Sequence, residues 1–249
     1  MNIIGYGEDS LTFWALTQKL EKILEKLKDG SEPEKCILFY RPSFGRGGRG
    51  TSNFGEFDAI LATNKAIYLV ESKWENSHKE WKKRARQIRL DQSQVNRHRI
   101  FKWYFDKWNG NDKNNIFDEK NNDLKREFSE KFKKTKKDET VVDMTIPASS
   151  TSLAKRIKLI MEKLKTFEHN KEAVKNVVLF FHSTEKTCKL PEVVKLPKDN
   201  EEIEFEKVIT IIYGRDEKYN SLGFVNMSNK SKLICRINQI IKEQCINKK

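Results

Sequence analysis

Residues 55–73 read Gly-Glu-Phe-Asp-Ala-Ile-Leu-Ala-Thr-Asn-Lys-Ala-Ile-Tyr-Leu-Val-Glu-Ser-Lys. Two apolar runs, Phe54 to Ala62 and Ala66 to Lys73, flank Thr63-Asn64-Lys65, which predicts two antiparallel strands joined by a short turn. With Asn64-Lys65 as a two-residue turn, Thr63 pairs with Ala66, and stepping outward sets Asp58 opposite Glu71. Directly opposed Cβ atoms lie roughly 4.5–5.5 Å apart. Side chains alternate along a strand, so Lys73 shares a face with Glu71. That face also carries Ile60, Ile67 and Leu69, while Phe57, Leu61, Tyr68 and Val70 are expected on the other. Strands apolar on both sides are buried on both sides.

Two like charges opposed at the end of a buried ribbon cost energy. Lys73 offsets part of that cost, and a divalent cation offsets more. A hard cation such as Mg²⁺ prefers carboxylate and carbonyl oxygens, and the Ser72 carbonyl is placed to add one. The acid-x-Lys spacing also occurs at Glu80-Trp81-Lys82, Asp118-Glu119-Lys120, Asp123-Leu124-Lys125 and Asp216-Glu217-Lys218. None of these follows an alternating apolar strand with an aspartate across a hairpin. The alternative for Asp58, Glu71 and Lys73 is an ion-pair cluster at a sheet end, although such clusters rarely recover their desolvation.

Outward from the hairpin, residues 10–28 repeat apolar side chains at helical spacing, with Asp9 or Ser10 as cap and Gly30 after the end. Cys36 to Tyr40 reads as a strand, and the Gly- and Arg-rich stretch 42–53 as a loop. Its glycines fit G-x-G-x-x-G, but a strand rather than a helix follows, which excludes a dinucleotide fingerprint. Residues 77–105 read as a long basic helix with Trp81, Ala85, Ile88 and Val95 on its buried stripe. Residues 106–140 are rich in Asp, Asn and Lys and read as a polar insertion or arm. Leu153 to Phe167 is an amphipathic helix, Val177–Phe181 and Val208–Tyr213 are strands, and residues 230–249 a closing helix. Strands and helices in this order predict an α/β layered fold, a single domain whose core spans about 8–105 plus 170–215.

The chain has 249 residues, 49 Lys plus Arg against 36 Asp plus Glu, and a net charge of +13. Such a balance suits a polyanionic partner or a solubilising surface. Hydrophobic residues make up 37% and aromatic residues 10%, enough core-formers to exclude a wholly disordered chain. The start, MNIIGYGEDS, lacks the basic and apolar regions of a secretory signal. No apolar run is long enough to span a bilayer, so no membrane partner is expected. Four scattered cysteines without a C-x-x-C pair argue against a structural zinc site and for a reduced, cytoplasmic setting. His78, His98, His169 and His182 show no ligand spacing and read as surface or packing residues.

The Gly-Glu-Phe-Asp element, the apolar run and Tyr-Leu-Val-Glu-Ser-Lys together resemble the core of the PD-(D/E)XK nuclease superfamily, which includes restriction endonucleases and Holliday-junction resolvases. Phe57 stands where the family usually has proline, and Ser72 where it usually has an apolar residue. The resemblance implies a restriction endonuclease-like α-β-β-β-α-β core, a mixed central sheet flanked by helices. It implies metal-ligating acids at Asp58 and Glu71, a ligand from the Ser72 carbonyl, a catalytic Lys73, and Mg²⁺ as cofactor, with Mn²⁺ able to substitute. Many members add an acid from the first helix. Glu8 is the candidate and Glu21 a poorer one, with favourable placement at a helix N-terminus as the other account of Glu8.

The expected function is Mg²⁺-dependent hydrolysis of DNA phosphodiester bonds, by a type II restriction enzyme acting as a homodimer. A structure-specific nuclease of the junction-resolving or repair type is the runner-up, and a non-catalytic nucleic-acid-binding module is the rival class. Arg46 and Arg49 of the glycine loop, and Lys82, Lys83, Arg86, Arg89 and Arg97 of the basic segment, are the candidate DNA contacts. A solvated basic face is the alternative for the latter. Trp103, Tyr104, Phe105 and Trp108 read as core or interface in preference to base-stacking groups. Gln87, Gln92 and Gln94 lie where some members place a polar group near the site, though a surface glutamine is the simpler account.

Overall fold

The structure is a computed structural model. It describes residues 4–45, 52–75, 87–109, 116–118, 120–135, 140–167, 173–183, 190–191, 193–197, 203–213 and 224–226. In chain order the elements are β1 (Ile4–Tyr6), α1 (Gly7–Gln18), α2 (Leu20–Lys26), β2 (Ile37–Tyr40), β3 (Ser43–Phe44), β4 (Gly55–Glu56), β5 (Ala59–Ala62) and β6 (Ile67–Trp74). There follow β7 (Gln87–Arg89), α3 (Gln92–Asn109), α4 (Asn122–Lys131), β8 (Lys133–Thr135), β9 (Val141–Asp143), α5 (Ser152–Leu164), β10 (Val174–Ser183), β11 (Val193–Lys195), β12 (Phe205–Tyr213) and β13 (Phe224–Asn226). The fold is mixed α/β.

The central sheet runs β12-β10-β6-β5-β2. Strand β10 is parallel to both β6 and β12, whereas β5 is antiparallel to β6 and to β2, so the sheet is mixed. All eight residues of β6 are buried, as expected of a central strand covered on both faces. On one face Ala59, Leu61, Tyr68, Val70, Val177 and Leu179 pack on Leu11, Ala15, Leu16, Ile23 and Leu24 of α1 and α2. On the other, Ile60, Ala62, Ile67 and Leu69 pack on Ile100, Phe101 and Tyr104 of α3 and on α5. Helix α5 is capped by the Thr151 hydroxyl, which accepts from the Ala154 amide, and buries Leu153, Ile157, Ile160, Met161 and Leu164 at helical spacing.

The hairpin register agrees with the sequence reading: Ala59, Ile60, Leu61 and Ala62 pair with Val70, Leu69, Tyr68 and Ile67. The Thr63 amide donates to the Ala66 carbonyl at 2.9 Å, and the Thr63 hydroxyl lies 2.7 Å from buried Asp29. Several boundaries differ. The 10–28 helix starts earlier, at Gly7, and breaks at Lys19, and its N-cap is Tyr6 without a side-chain cap. The first hairpin strand is interrupted at Phe57-Asp58, and the bend returns Phe57 to the Ile60 side, not the Leu61 side. The 77–105 helix is also corrected. Residues 87–89 form β7, paired in parallel with β11, and the helix begins only at Gln92. Gln-Ile-Arg has one buried apolar residue between two polar ones, a strand pattern that the basic composition obscured.

Ile116, Leu124, Phe128 and Phe132, within the polar 106–140 stretch, join the α3 core. The residue 230–249 helix, Trp81 and Ala85 lie outside the described residues. Among the described residues no helix is long and apolar enough to cross a membrane.

Trp103, Tyr104, Phe105 and Trp108 are buried, so they are core side chains. Among the described residues the Tyr104 hydroxyl has no hydrogen-bond partner. Leaving a buried hydroxyl unsatisfied costs about 1–3 kcal/mol. Tyr104→Phe is therefore expected to raise stability by about 1 kcal/mol, measured as a higher urea midpoint at unchanged slope.

Candidate active site

The bend at Phe57-Asp58 ends β5 so that the Asp58 carboxylate turns back on β6. Its Oδ2 accepts the Ser72 amide at 2.7 Å. Glu71 and Lys73 alternate with Ser72 and project from the same face of β6. The Lys73 ammonium lies 3.7 Å from Glu71 Oε2. Ser72 faces the other way, its hydroxyl 2.7 Å from that of Thr12 on α1. Glu8, in the first turn of α1, accepts the Trp74 amide at 2.7 Å. The structure thus brings Asp58, Glu71, Ser72, Lys73 and Glu8 to one end of β6.

Helix α3 supplies a second group. Gln94 donates to Glu71 Oε2 at 3.1 Å, and Arg97 forms an ion pair with Glu71 Oε1. The His98 ring is buried, with Nδ1 2.7 Å from Asn176 Oδ1 and Nε2 3.4 Å from Glu71 Oε1. The Asn176 amide nitrogen donates to the Glu204 carbonyl, so its oxygen is left to accept from His98. Asn176 opposes Leu69 on β6, which ties the imidazole to the neighbouring strand.

The two carboxylates experience opposite fields. Burial pushes Asp58 up, and the negative charge of Glu71 pushes it further, to about 7, against the Ser72 amide and Lys73. Burial alone would raise Glu71 too. Contact with His98 and the charges of Arg97 and Lys73 outweigh it and hold Glu71 at about 2. At neutral pH one carboxylate is fully ionised and its neighbour is poised to gain or lose a proton, a separation typical of sites that do chemistry.

Gly55 adjoins this site with φ +108°, and a Cβ there would stand 3.3 Å from Arg97 Nη1. Glycine therefore permits both the backbone conformation and the close approach of Arg97.

Of the other expected contacts, Arg89 is an exposed residue of β7, and Arg97 turns inward onto Glu71 and over the Phe57 ring. Arg46, Arg49, Lys82, Lys83 and Arg86 lie outside the described residues. His98, which the sequence reads as a surface or packing residue, is buried and reaches the site. A histidine within an otherwise apolar stripe that includes Val95 and Phe101 is the signal that marks it. Gln94 reaches the site although it reads as a surface residue, because its place next to the α3 N-terminus is visible only once the helix start is known.

A further buried network lies beyond Lys73: Glu75 meets His182 Nδ1 and the Ser183 amide, each at 2.8 Å. Among the described residues no three His, Cys, Asp or Glu side chains stand at ligand spacing for a metal ion. Asp58, Glu71 and Glu8 form a charge network in which Glu71 is already engaged by cations. No family model, no curated protein and no solved structure matches the chain.

Proposed function

We propose that the protein is a divalent-metal-dependent DNA endonuclease of the restriction endonuclease-like kind, cutting phosphodiester bonds at the end of β6. The observation that carries this is the pairing of Asp58, raised to about 7, with an ionised Glu71 beside Lys73. Asp58 is the carboxylate that burial and the Glu71 charge disfavour as an ion, so a cation has most to gain there. By donor type, though not at ligand spacing in this structure, the oxygens of Asp58, Glu71 and Glu8 and the Ser72 carbonyl are the hard ligands that Mg²⁺ prefers. Mg²⁺ bound by them would activate water and neutralise the scissile phosphate.

The chain's own groups have separate tasks. Lys73 would supply a preorganised donor to the scissile phosphate or the attacking water beside Glu71. Gln94, Arg97 and His98 fix the orientation of Glu71, and Arg97 is close enough to exchange its carboxylate partner for a phosphate. Glu8 anchors the end of β6 through Trp74. A net charge of +13 concentrates the polyanionic substrate.

A type II restriction enzyme, working as a homodimer on a palindromic site, is one form of this reading. A structure-specific nuclease is the second, favoured by a pocket beside Arg97. Purified protein with Mg²⁺ is expected to nick or cut plasmid DNA, and EDTA to stop it. Cleavage indifferent to chelation would exclude a metal mechanism. A long duplex should give discrete bands for the restriction form, and cutting confined to branched or interrupted DNA would identify the second.

A further inference from the structure

A pocket of about 590 Å³ opens beside the carboxylate site, within the ~300–1,000 Å³ that accommodates a small organic group. One wall is a face of α3: Gln92, Ser93, Asn96, Arg97 and Ile100 recur at the spacing that aligns side chains along a helix. Across from it are Asn53 and Phe54 before β4. Lys133 and Lys134 of β8 close the third side, with Met144 just past β9.

Its chemistry is divided. Phe54, Ile100 and Met144 are buried and form an apolar floor. The walls carry amides. Gln92 donates to Asn96 Oδ1 at 2.9 Å, and Asn96 Nδ2 approaches the Lys133 carbonyl at 3.4 Å, so the amides are held in place. At the rim Lys133 pairs only at 3.8 Å with exposed Asp143, a contact worth little. An apolar floor, amide walls and the lysines of β8, with the lining acid Glu56 already paired to Arg41, match the flat face, hydrogen-bonding edge and phosphate of a nucleotide. A fatty acyl chain would lie against polar amide and lysine walls, and an inorganic anion would leave the floor unused.

The position limits what kind of nucleotide can enter. Arg97 lines the pocket and also reaches Glu71. A group in the pocket therefore lies one arginine away from the carboxylates. A stacked base pair shows only its groove edges, whereas an unstacked base can be inserted whole and read along its pairing edge.

We propose that this pocket takes one unpaired nucleotide adjoining the bond that is cut, so that DNA with an extrahelical or single-stranded residue is preferred over a continuous duplex. This rests on the nuclease reading of the carboxylate site and specifies its substrate class.

The test is binding of the full chain in EDTA to two labelled duplexes, one fully paired and one with a single bulged nucleotide, read by fluorescence anisotropy. At least tenfold tighter binding of the bulged duplex is expected. Ser93→Trp, at an exposed position of α3, should fill the mouth, and Asn96→Ala should remove an amide. Both should bring the affinity ratio towards one with duplex affinity nearly unchanged. Equal binding of the two duplexes by the wild type, or a preference intact in both variants, would overturn the proposal. Cleavage with Mg²⁺ is scored separately. A protein that prefers the bulge yet cuts nothing keeps the pocket and loses the nuclease. One that cuts both duplexes alike, without binding preference, keeps the nuclease and loses the pocket.

Discussion

Lys73→Ala is expected to lower the single-turnover cleavage rate by about 10²–10³-fold, the scale on which losing one preorganised donor at a developing anion slows an enzyme. DNA affinity should change by no more than a few fold, because one cation is lost from a chain that carries 49 Lys and Arg. The fold should survive the change. Glu71 keeps Arg97, His98 and Gln94, and Lys73 is the most distant of its polar partners at 3.7 Å. Near-wild-type turnover by a folded Lys73→Ala protein would remove this residue from the chemistry. Loss of DNA binding together with cleavage would instead make it a binding residue.

Asp58→Asn is expected to abolish cleavage and, without metal, to stabilise the protein above neutral pH. The acid of Asp58 goes from 3.8 in an unfolded chain to about 7 in the folded one. A group that holds its proton more tightly when folded favours folding at low pH, and that contribution is lost as pH rises from about 4 to about 7. Glu71 works in the opposite sense. Its value falls from 4.5 to about 2 on folding, so its contribution is present above 4.5 and lost as pH falls towards 2.

Asparagine can still accept the Ser72 amide but carries no charge. The stability difference between variant and wild type should therefore grow between pH 4 and pH 7 and level off near roughly 2–4 kcal/mol. Urea titrations at pH 5 and pH 8 measure it. Mg²⁺ should raise the wild-type melting temperature more at pH 8 than at pH 5, because Asp58 must lose its proton to bind metal. In Asp58→Asn that response should be largely absent. A variant less stable than the wild type at pH 8 would mean that Asp58 is held by an attractive partner, not strained by a like charge.

The hairpin was legible because its information is local. A two-residue turn at Asn64-Lys65 sets the register, and strict alternation then brings Glu71 and Lys73 to one face. Phe57 was assigned to the wrong face for a related reason. Alternation holds only while the strand is extended, and the bend that aims Asp58 at the Ser72 amide also reverses its neighbour. The cationic side of the site was not legible. Arg97 in a basic run looks like solvated charge, and no spacing within the sequence places it against Glu71, 26 residues away. Similarly, His98 gains its meaning from Asn176, 78 residues further on. The coarse architecture could be read from hydrophobic periodicity, but the start of α3 could not, because Gln87–Arg89 pairs with a strand more than a hundred residues later.

That distance also governs how the molecule is made. Asp58 meets the Ser72 amide across 14 positions of the chain, a loop that closes at small entropic cost. Strand β6 must wait for β10, whose His182 partner for Glu75 lies 107 residues downstream. At ribosomal rates of about 5–20 residues per second the interval is on the order of ten seconds. Throughout it, a strand destined to be wholly interior has one hydrogen-bonding edge without its native neighbour. The yield of folded protein should therefore depend on translation speed between the hairpin and residue 183 more than on codon choice at either end.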